Sequence, residues 1–280
     1  MLSTSFVYSL VAVHAPLSVR AAGPCDPPIV NEIVCENSKQ GSPSSEWEVN
    51  GAGDASIQGF ATDISVDQGQ TIGFKIDTTA ADYRIDIYRL GYYAGDGARL
   101  ITTIGTAATT ETNQPDCQLI DGTTDDNLVD CGNWSLSATW NVPADAASGI
   151  YIARPKRADN DGASHIVFIV RDDDGGSDLL YQTSDTTWQA YNQYGGYSLY
   201  SGPSGHAHKV SYNRPFTTRG GPTEDWFFNA EYPMVRWLER NGYDVSYISG
   251  LDTHRAGALL TNHKAFISVV HDEYWSGQQR

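Results

Sequence analysis

Apolar and polar positions alternate with a period of two along much of residues 57–170, the pattern of strands that bury one face. The clearest stretch is 83–90, Y-R-I-D-I-Y-R-L, which sets Tyr83, Ile85 and Ile87 against Arg84, Asp86 and Tyr88 on the opposite face. Residues 64–66 and 71–76 alternate on either side of a turn at 67–70, and 134–142, 149–155 and 164–170 supply three more strands. Short strands, frequent turn residues and no convincing helix predict a β-sandwich domain over 57–171. The run R-D-D-D-G-G-S at 171–177 repels itself and carries adjacent glycines, so 172–177 reads as a linker.

Beyond it the pattern changes to strand, helix, strand, helix, strand. Residues 179–182 read as a strand. Residues 223–241 read as a helix with Phe227, Ala230, Met234, Trp237 and Leu238 along one side, kinked at Tyr232-Pro233 and ended by Gly242. A strand at 243–249 and a short helix at 253–261 follow, then 264–270, K-A-F-I-S-V-V. The almost unbroken apolar run at 265–270 predicts a strand buried on both faces, and the order predicts a parallel α/β domain over 178–280 with right-handed crossovers. Ser276 and Gln279 match a capping box, which announces a further helix and makes the domain look incomplete at its C-terminus.

Composition narrows the partners. The 280 residues carry a formal net charge of −16 and no cluster of Lys and Arg, which disfavours nucleic acid and anionic membranes. Residues 1–22 resemble a secretory signal in part, with an apolar stretch at 6–15 and small-residue spacing at 19–21; no other run is long enough to span a bilayer. Residues 23–56 read as an extended polar segment. The cysteines fall at 25 and 35 and, in an Asp/Thr/Asn-rich excursion at 106–133, at 117 and 131. Their even number and polar flanks predict disulfides in an exported protein, with 25–35 and 117–131 favoured because each closes a short loop; the absence of CxxC spacing disfavours zinc.

Candidate chemistry gathers after the 265–270 run, where His271, Asp272 and Glu273 follow at the carboxyl end of the strand, the usual ligand side of a parallel sheet. The alternative is that they cap a helix. Tyrosines at 191, 194, 197 and 200 form an aromatic loop that either stacks on a sugar or packs as a lid, and Arg214 pairs either with a substrate carboxylate or with Asp225.

Several long motifs then carry a resemblance: T-S-D-T-T-W-Q-A-Y-N at 183–192, S-Y-N-R-P-F at 211–216, E-Y-P-M-V-R-W-L-E-R-N-G-Y-D-V-S-Y at 231–247, H-D-E-Y-W-S at 271–276 and, upstream, I-D-I-Y-R-L-G-Y-Y-A-G-D-G-A-R-L at 85–100. From about residue 36 to 280 the chain resembles the large (beta) subunit family of N,N-dimethylformamidase. The resemblance implies an immunoglobulin-like sandwich followed by a glutamine-amidotransferase-like α/β domain. It also implies a mononuclear iron (Fe3+) held by two tyrosines and a glutamate, and hydrolysis of a small-molecule amide. Glu273 matches the glutamate, Tyr191 one tyrosine and Tyr151 the other, with His271 beside the metal. The resemblance further implies an accompanying small subunit and a domain that continues past residue 280. Two other functions stay open: an exported surface protein whose sandwich binds a glycan without catalysis, and a metal-free hydrolase using Asp272 or Glu273 as base. A homo-oligomer is also open.

Overall fold

The computed structural model describes residues 22–105, 113–120, 126–219 and 223–280. The signal expected at 1–22 therefore lies outside the described residues except for its last position, as does part of the 106–133 excursion.

The segment expected to be extended carries two short helices instead, α1 (Glu32–Asn37) and α2 (Ser44–Trp47). Asn31 caps α1 by accepting the Val34 N–H at 3.0 Å. Ten strands follow: β1 (Ile57–Ala61), β2 (Ser65–Asp67), β3 (Thr71–Thr78), β4 (Tyr83–Leu90), β5 (Ala98–Ile104), β6 (Gln118–Ile120), β7 (Leu128–Asp130), β8 (Ala138–Asn141), β9 (Gly149–Arg157) and β10 (Ile166–Arg171). An antiparallel sheet in the order β1-β3-β8 faces a five-stranded mixed sheet in the order β2-β10-β9-β4-β5, in which β2 runs parallel to β10. Ile72, Phe74, Ile76, Tyr83, Ile85, Ile87 and Phe168 fill the space between them. The alternation of β4 thus lands as its pattern predicts. Tyr88 and Leu90 point the other way and join Ile150 and Ile152 in a second core, against the C-terminal elements.

Those elements are β11 (Leu179–Thr183), α3 (Asp185–Tyr191), α4 (Phe227–Ala230), α5 (Tyr232–Arg240), β12 (Val245–Ser249), α6 (Gly250–Ala256) and β13 (Ala265–Ser268). β12 and β13 flank β11 in parallel. The expectation of an immunoglobulin-like sandwich followed by a glutamine-amidotransferase-like α/β domain is corrected. The chain is mostly β, built of several small sheets, mixed and antiparallel, and the parallel pairing is confined to three short strands. No parallel α/β amidotransferase-like domain is present among the described residues. A parallel sheet needs cover on both faces. Here β13 is an edge whose Ala265, Phe266 and Ser268 are exposed, so the apolar run at 265–270 is not a strand buried on both sides.

The kink in the long helical region is real: a 3-10 turn (Thr223–Asp225), α4 and α5 replace one helix, with Pro233 in the first turn of α5, where its missing N–H costs no hydrogen bond. The buried side is Phe227, Tyr232, Val235, Leu238 and Glu239, whereas Trp237 lies outside and stacks on Tyr243. Both disulfides, Cys25–Cys35 and Cys117–Cys131, are present. The capping box is formed as well: Ser276 N donates to Gln279 Oε1 at 2.6 Å and Gln279 N to Ser276 Oγ at 3.2 Å.

One buried ion pair ties these layers together. Arg89 of β4 donates to both oxygens of Glu239 of α5 at 3.0 and 2.9 Å, and both side chains are fully buried. Asn37 of α1 and Tyr247 of β12 donate to the same carboxylate at 2.8 and 2.9 Å. The guanidinium crosses so close to β9 that a Cβ at Gly149 would sit 2.7 Å from its Nε.

Candidate functional site

α3 places Thr187 and Tyr191 one helical turn apart, on the face that meets the chain leaving β13. Thr187 Oγ1 accepts the Glu273 N–H at 3.0 Å, which fixes the backbone there. Just before, Val270 sits at a φ of +57°, a left-handed conformation that is strained for a β-branched residue and turns the chain out of the sheet.

The glutamate that follows is the hub. Tyr191 OH donates to Glu273 Oε2 at 3.2 Å, and Tyr200 OH donates to Oε1 at 2.9 Å. His271 Nε2 also contacts Oε2, while its Nδ1 lies 3.0 Å from Asp225 Oδ1. Each ring nitrogen thus faces a carboxylate oxygen, and Asp225 on one side and Glu273 on the other hold the ring in place. The Tyr191 and Tyr200 rings stack with centroids 4.3 Å apart, and Tyr274 OH lies 2.5 Å from Tyr200 OH. Desolvation, reinforced by Glu273, raises both phenols above their ordinary value, Tyr200 to about 12.

Of the residues expected from sequence, the structure brings together Tyr191, His271 and Glu273. It does not bring Tyr151 to them. That ring lies in the sandwich interior against Trp140 and Phe168, and its hydroxyl donates to Ala147 O at 2.7 Å. Along β9 its neighbours Ile150 and Ile152 face the C-terminal elements, so Tyr151 points away from them. Tyr200, Tyr274 and Asp225 join the cluster without having been singled out as ligands. Tyr200 was visible only as one of the recurring tyrosines.

Arg214 takes neither expected role. Nearly fully buried, it donates to the backbone oxygens of Gln189, Tyr194 and Tyr197 and so holds the aromatic loop that presents Tyr200. Desolvation lowers its guanidinium to about 10. Gly195, at a φ of +77°, passes so near Val129 that a Cβ would come within 2.5 Å of its Cγ1.

Beneath the site lies a layer of buried carboxyls. Asp185 accepts from Thr183 Oγ1 at 2.8 Å, Tyr212 OH at 2.7 Å and the Gly250 N–H at 2.6 Å, joining β11 to the start of α6. Glu231 accepts the Ser184 N–H at 2.6 Å. Burial raises Asp185 to about 6 and Glu231 to about 8, with Asp185 adding to the shift of Glu231. A cavity of about 340 Å³, lined by Leu199, Val210, Leu251, Tyr274 and Trp275 among others, shares Tyr274 with the cluster.

A family model described as N,N-dimethylformamidase beta subunit-like, C-terminal, matches residues 84–280. The chain belongs to that family. The resemblance drawn from the motifs is thereby borne out over most of the stretch that carried it. No curated protein matches the chain. Solved structures similar in part include a cellulose-active LPMO in complex with copper, 16% identical, covering 38% of this chain and 50% of that one at a TM-score of 0.24. A Salmonella alpha-2-macroglobulin mutant is 16% identical over 48% of this chain and 7% of that one, with a TM-score of 0.25. An AA10 lytic polysaccharide monooxygenase from Streptomyces lividans is 11% identical over 38% and 56%, with a TM-score of 0.22. Likenesses this loose carry no argument about fold or function.

The donor set fits an oxygen-loving trivalent cation in kind. Two phenols and a carboxylate are hard ligands, and such a charge would draw off the phenolic protons that now bond Glu273. Among the described residues no group of three or more His, Cys, Asp and Glu side chains is arranged to hold a metal.

Proposed function

We propose that this chain carries a metal-dependent hydrolase site for a non-peptide C–N amide bond, with Tyr191, Tyr200 and Glu273 as the oxygen donors to a ferric ion. The observation that supports it is the convergence of two phenols and an imidazole on the two oxygens of Glu273, in a chain of the dimethylformamidase-like family. When bound, the iron supplies Lewis acidity toward an amide carbonyl. The rest is the work of the protein. Asp225 orients His271 so that Nε2 can take a proton from the attacking water and pass it to the departing amine. The Leu199, Val210 and Leu251 wall gives N-alkyl groups an apolar seat and keeps water from one side. The two disulfides suit an oxidising, extracytoplasmic compartment; no helix among the described residues is long and apolar enough to cross a membrane.

The test is amine release from a panel of N,N-dialkyl formamides and acetamides by the iron-loaded chain. Turnover should fall by about 100-fold or more in His271→Ala, and Asp225→Asn should lower kcat more than it raises KM. No amine from any member of the panel would overturn the proposal, as would a His271→Ala variant that keeps full activity.

A further inference from the structure

A second cavity lies away from the Glu273 cluster. It measures about 790 Å³, is open to solvent, and is lined by α2 with the residues after it, the turn at 160–163 and one side chain from β9, Arg154. Along β9 this residue shares a face with Ile150 and Ile152, which are packed in the core. Arg154 itself is only 6% exposed. Yet it donates no hydrogen bond among the described residues. Its Nε is buried without a partner, and its nearest carboxylate, Asp86, is 3.9 Å from Nη1. Asp86 is already engaged by Arg84 Nε at 3.0 Å and by Thr103 Oγ1 at 2.8 Å. Burial lowers the guanidinium from its ordinary value.

A buried arginine is almost always paired, and its planar fork matches a carboxylate in two parallel hydrogen bonds. The rest of the wall selects among anions. Glu48, Asp54 and Asp161 repel a multiply charged group but accept hydrogen bonds from hydroxyls, and Ser44, Asn50 and Asn160 add further polar groups. The volume falls within the range of small-molecule sites and has room for about one or two sugar rings. We propose that this cavity binds a sugar acid, its carboxylate anchored by Arg154 and its hydroxyls by the acidic and amide side chains of the rim.

The test is calorimetric titration of the full chain with D-glucuronate, D-galacturonate and D-gluconate, beside D-glucose and inorganic phosphate. At least one sugar acid should bind saturably, with the neutral sugar about tenfold weaker or worse. Arg154→Met should abolish that binding. Arg154→Lys, which keeps the charge but loses the fork, should weaken it. Asn160→Ala should weaken it without disturbing the arginine. Glu273→Gln should leave it unchanged, which separates this site from the proposed hydrolytic one. Thermal melts confirm folding of each variant. Failure of all three acids to bind, glucose binding equally well, phosphate binding more tightly than every acid, or an Arg154→Met variant that binds as the parent would each overturn the proposal.

Discussion

Replacing Glu239 by alanine would strand the guanidinium of Arg89 inside the protein. Both side chains are at 0% exposure, and the pair is bidentate at 2.9 and 3.0 Å. Without the carboxylate, Arg89 keeps only Ser148 O at 2.8 Å, Leu90 O at 3.1 Å and Tyr93 OH at 3.1 Å, all neutral acceptors. Asn37 Nδ2 and Tyr247 OH lose an acceptor as well. Breaking one half of a buried pair costs about 3–5 kcal/mol, because the remaining charge loses its hydrogen-bonded counter-ion. At about 2–4 °C per kcal/mol for a chain of this size, the midpoint of thermal unfolding should fall by roughly 6–20 °C. Urea unfolding followed by tryptophan fluorescence measures the loss directly. The double variant Arg89→Met with Glu239→Leu should recover most of it, since an apolar pair leaves nothing unpaired. A loss below about 1 kcal/mol in Glu239→Ala, or a double variant no better than the single one, would refute the reasoning.

Two further predictions concern pH. Burial alone would raise Glu36, but Arg89, Lys39, Arg99 and Tyr93 bring it down to about 2 from an ordinary 4.5. A folded-state value below the unfolded one gives stability that is present above about pH 4.5 and lost as pH falls through 2, at most about 3 kcal/mol. Urea titrations between pH 2 and 5 should show a smaller acid loss in Glu36→Gln than in the parent. Glu231 has the opposite sign: burial raises it to about 8, so its contribution is complete below about pH 4.5 and drains away as pH rises toward 8. The slope is about −1.4 kcal/mol per pH unit, and Glu231→Gln, which can still accept the Ser184 N–H, should remove it; an unchanged slope between pH 5 and 8 would count against this assignment.

The strands were legible because period-two alternation reports a buried face whatever the partner. The β4 pattern placed Tyr83, Ile85 and Ile87 inside, and they are. The run at 265–270 was not legible. A short apolar stretch looks the same in a doubly covered strand and in an edge strand, and only the absence of cover over Ala265 and Phe266 distinguishes them. The helical region shows a similar limit. Proline at 233 announced the break, but shifting the helical phase there moved Trp237 to the surface and Val235 inward. Within the site, His271 and Glu273 were readable from their position after a strand, and Tyr191 from the family resemblance. Tyr200 reaches Glu273 through a loop folded around the buried Arg214, a contact no local spacing encodes. The alternation G-I-Y-I-A held the answer for Tyr151, since it sets that ring opposite Ile150 and Ile152.

The most direct test of the central claim is a ferric titration of the purified chain, followed by visible absorption and by metal analysis. The account predicts one iron per chain and a tyrosinate-to-iron charge-transfer band. That band should weaken in Tyr191→Phe and in Tyr200→Phe, vanish in the double variant, and be unaffected by Tyr151→Phe. A folded chain that takes up no iron, or a band that survives loss of both Tyr191 and Tyr200, would contradict it.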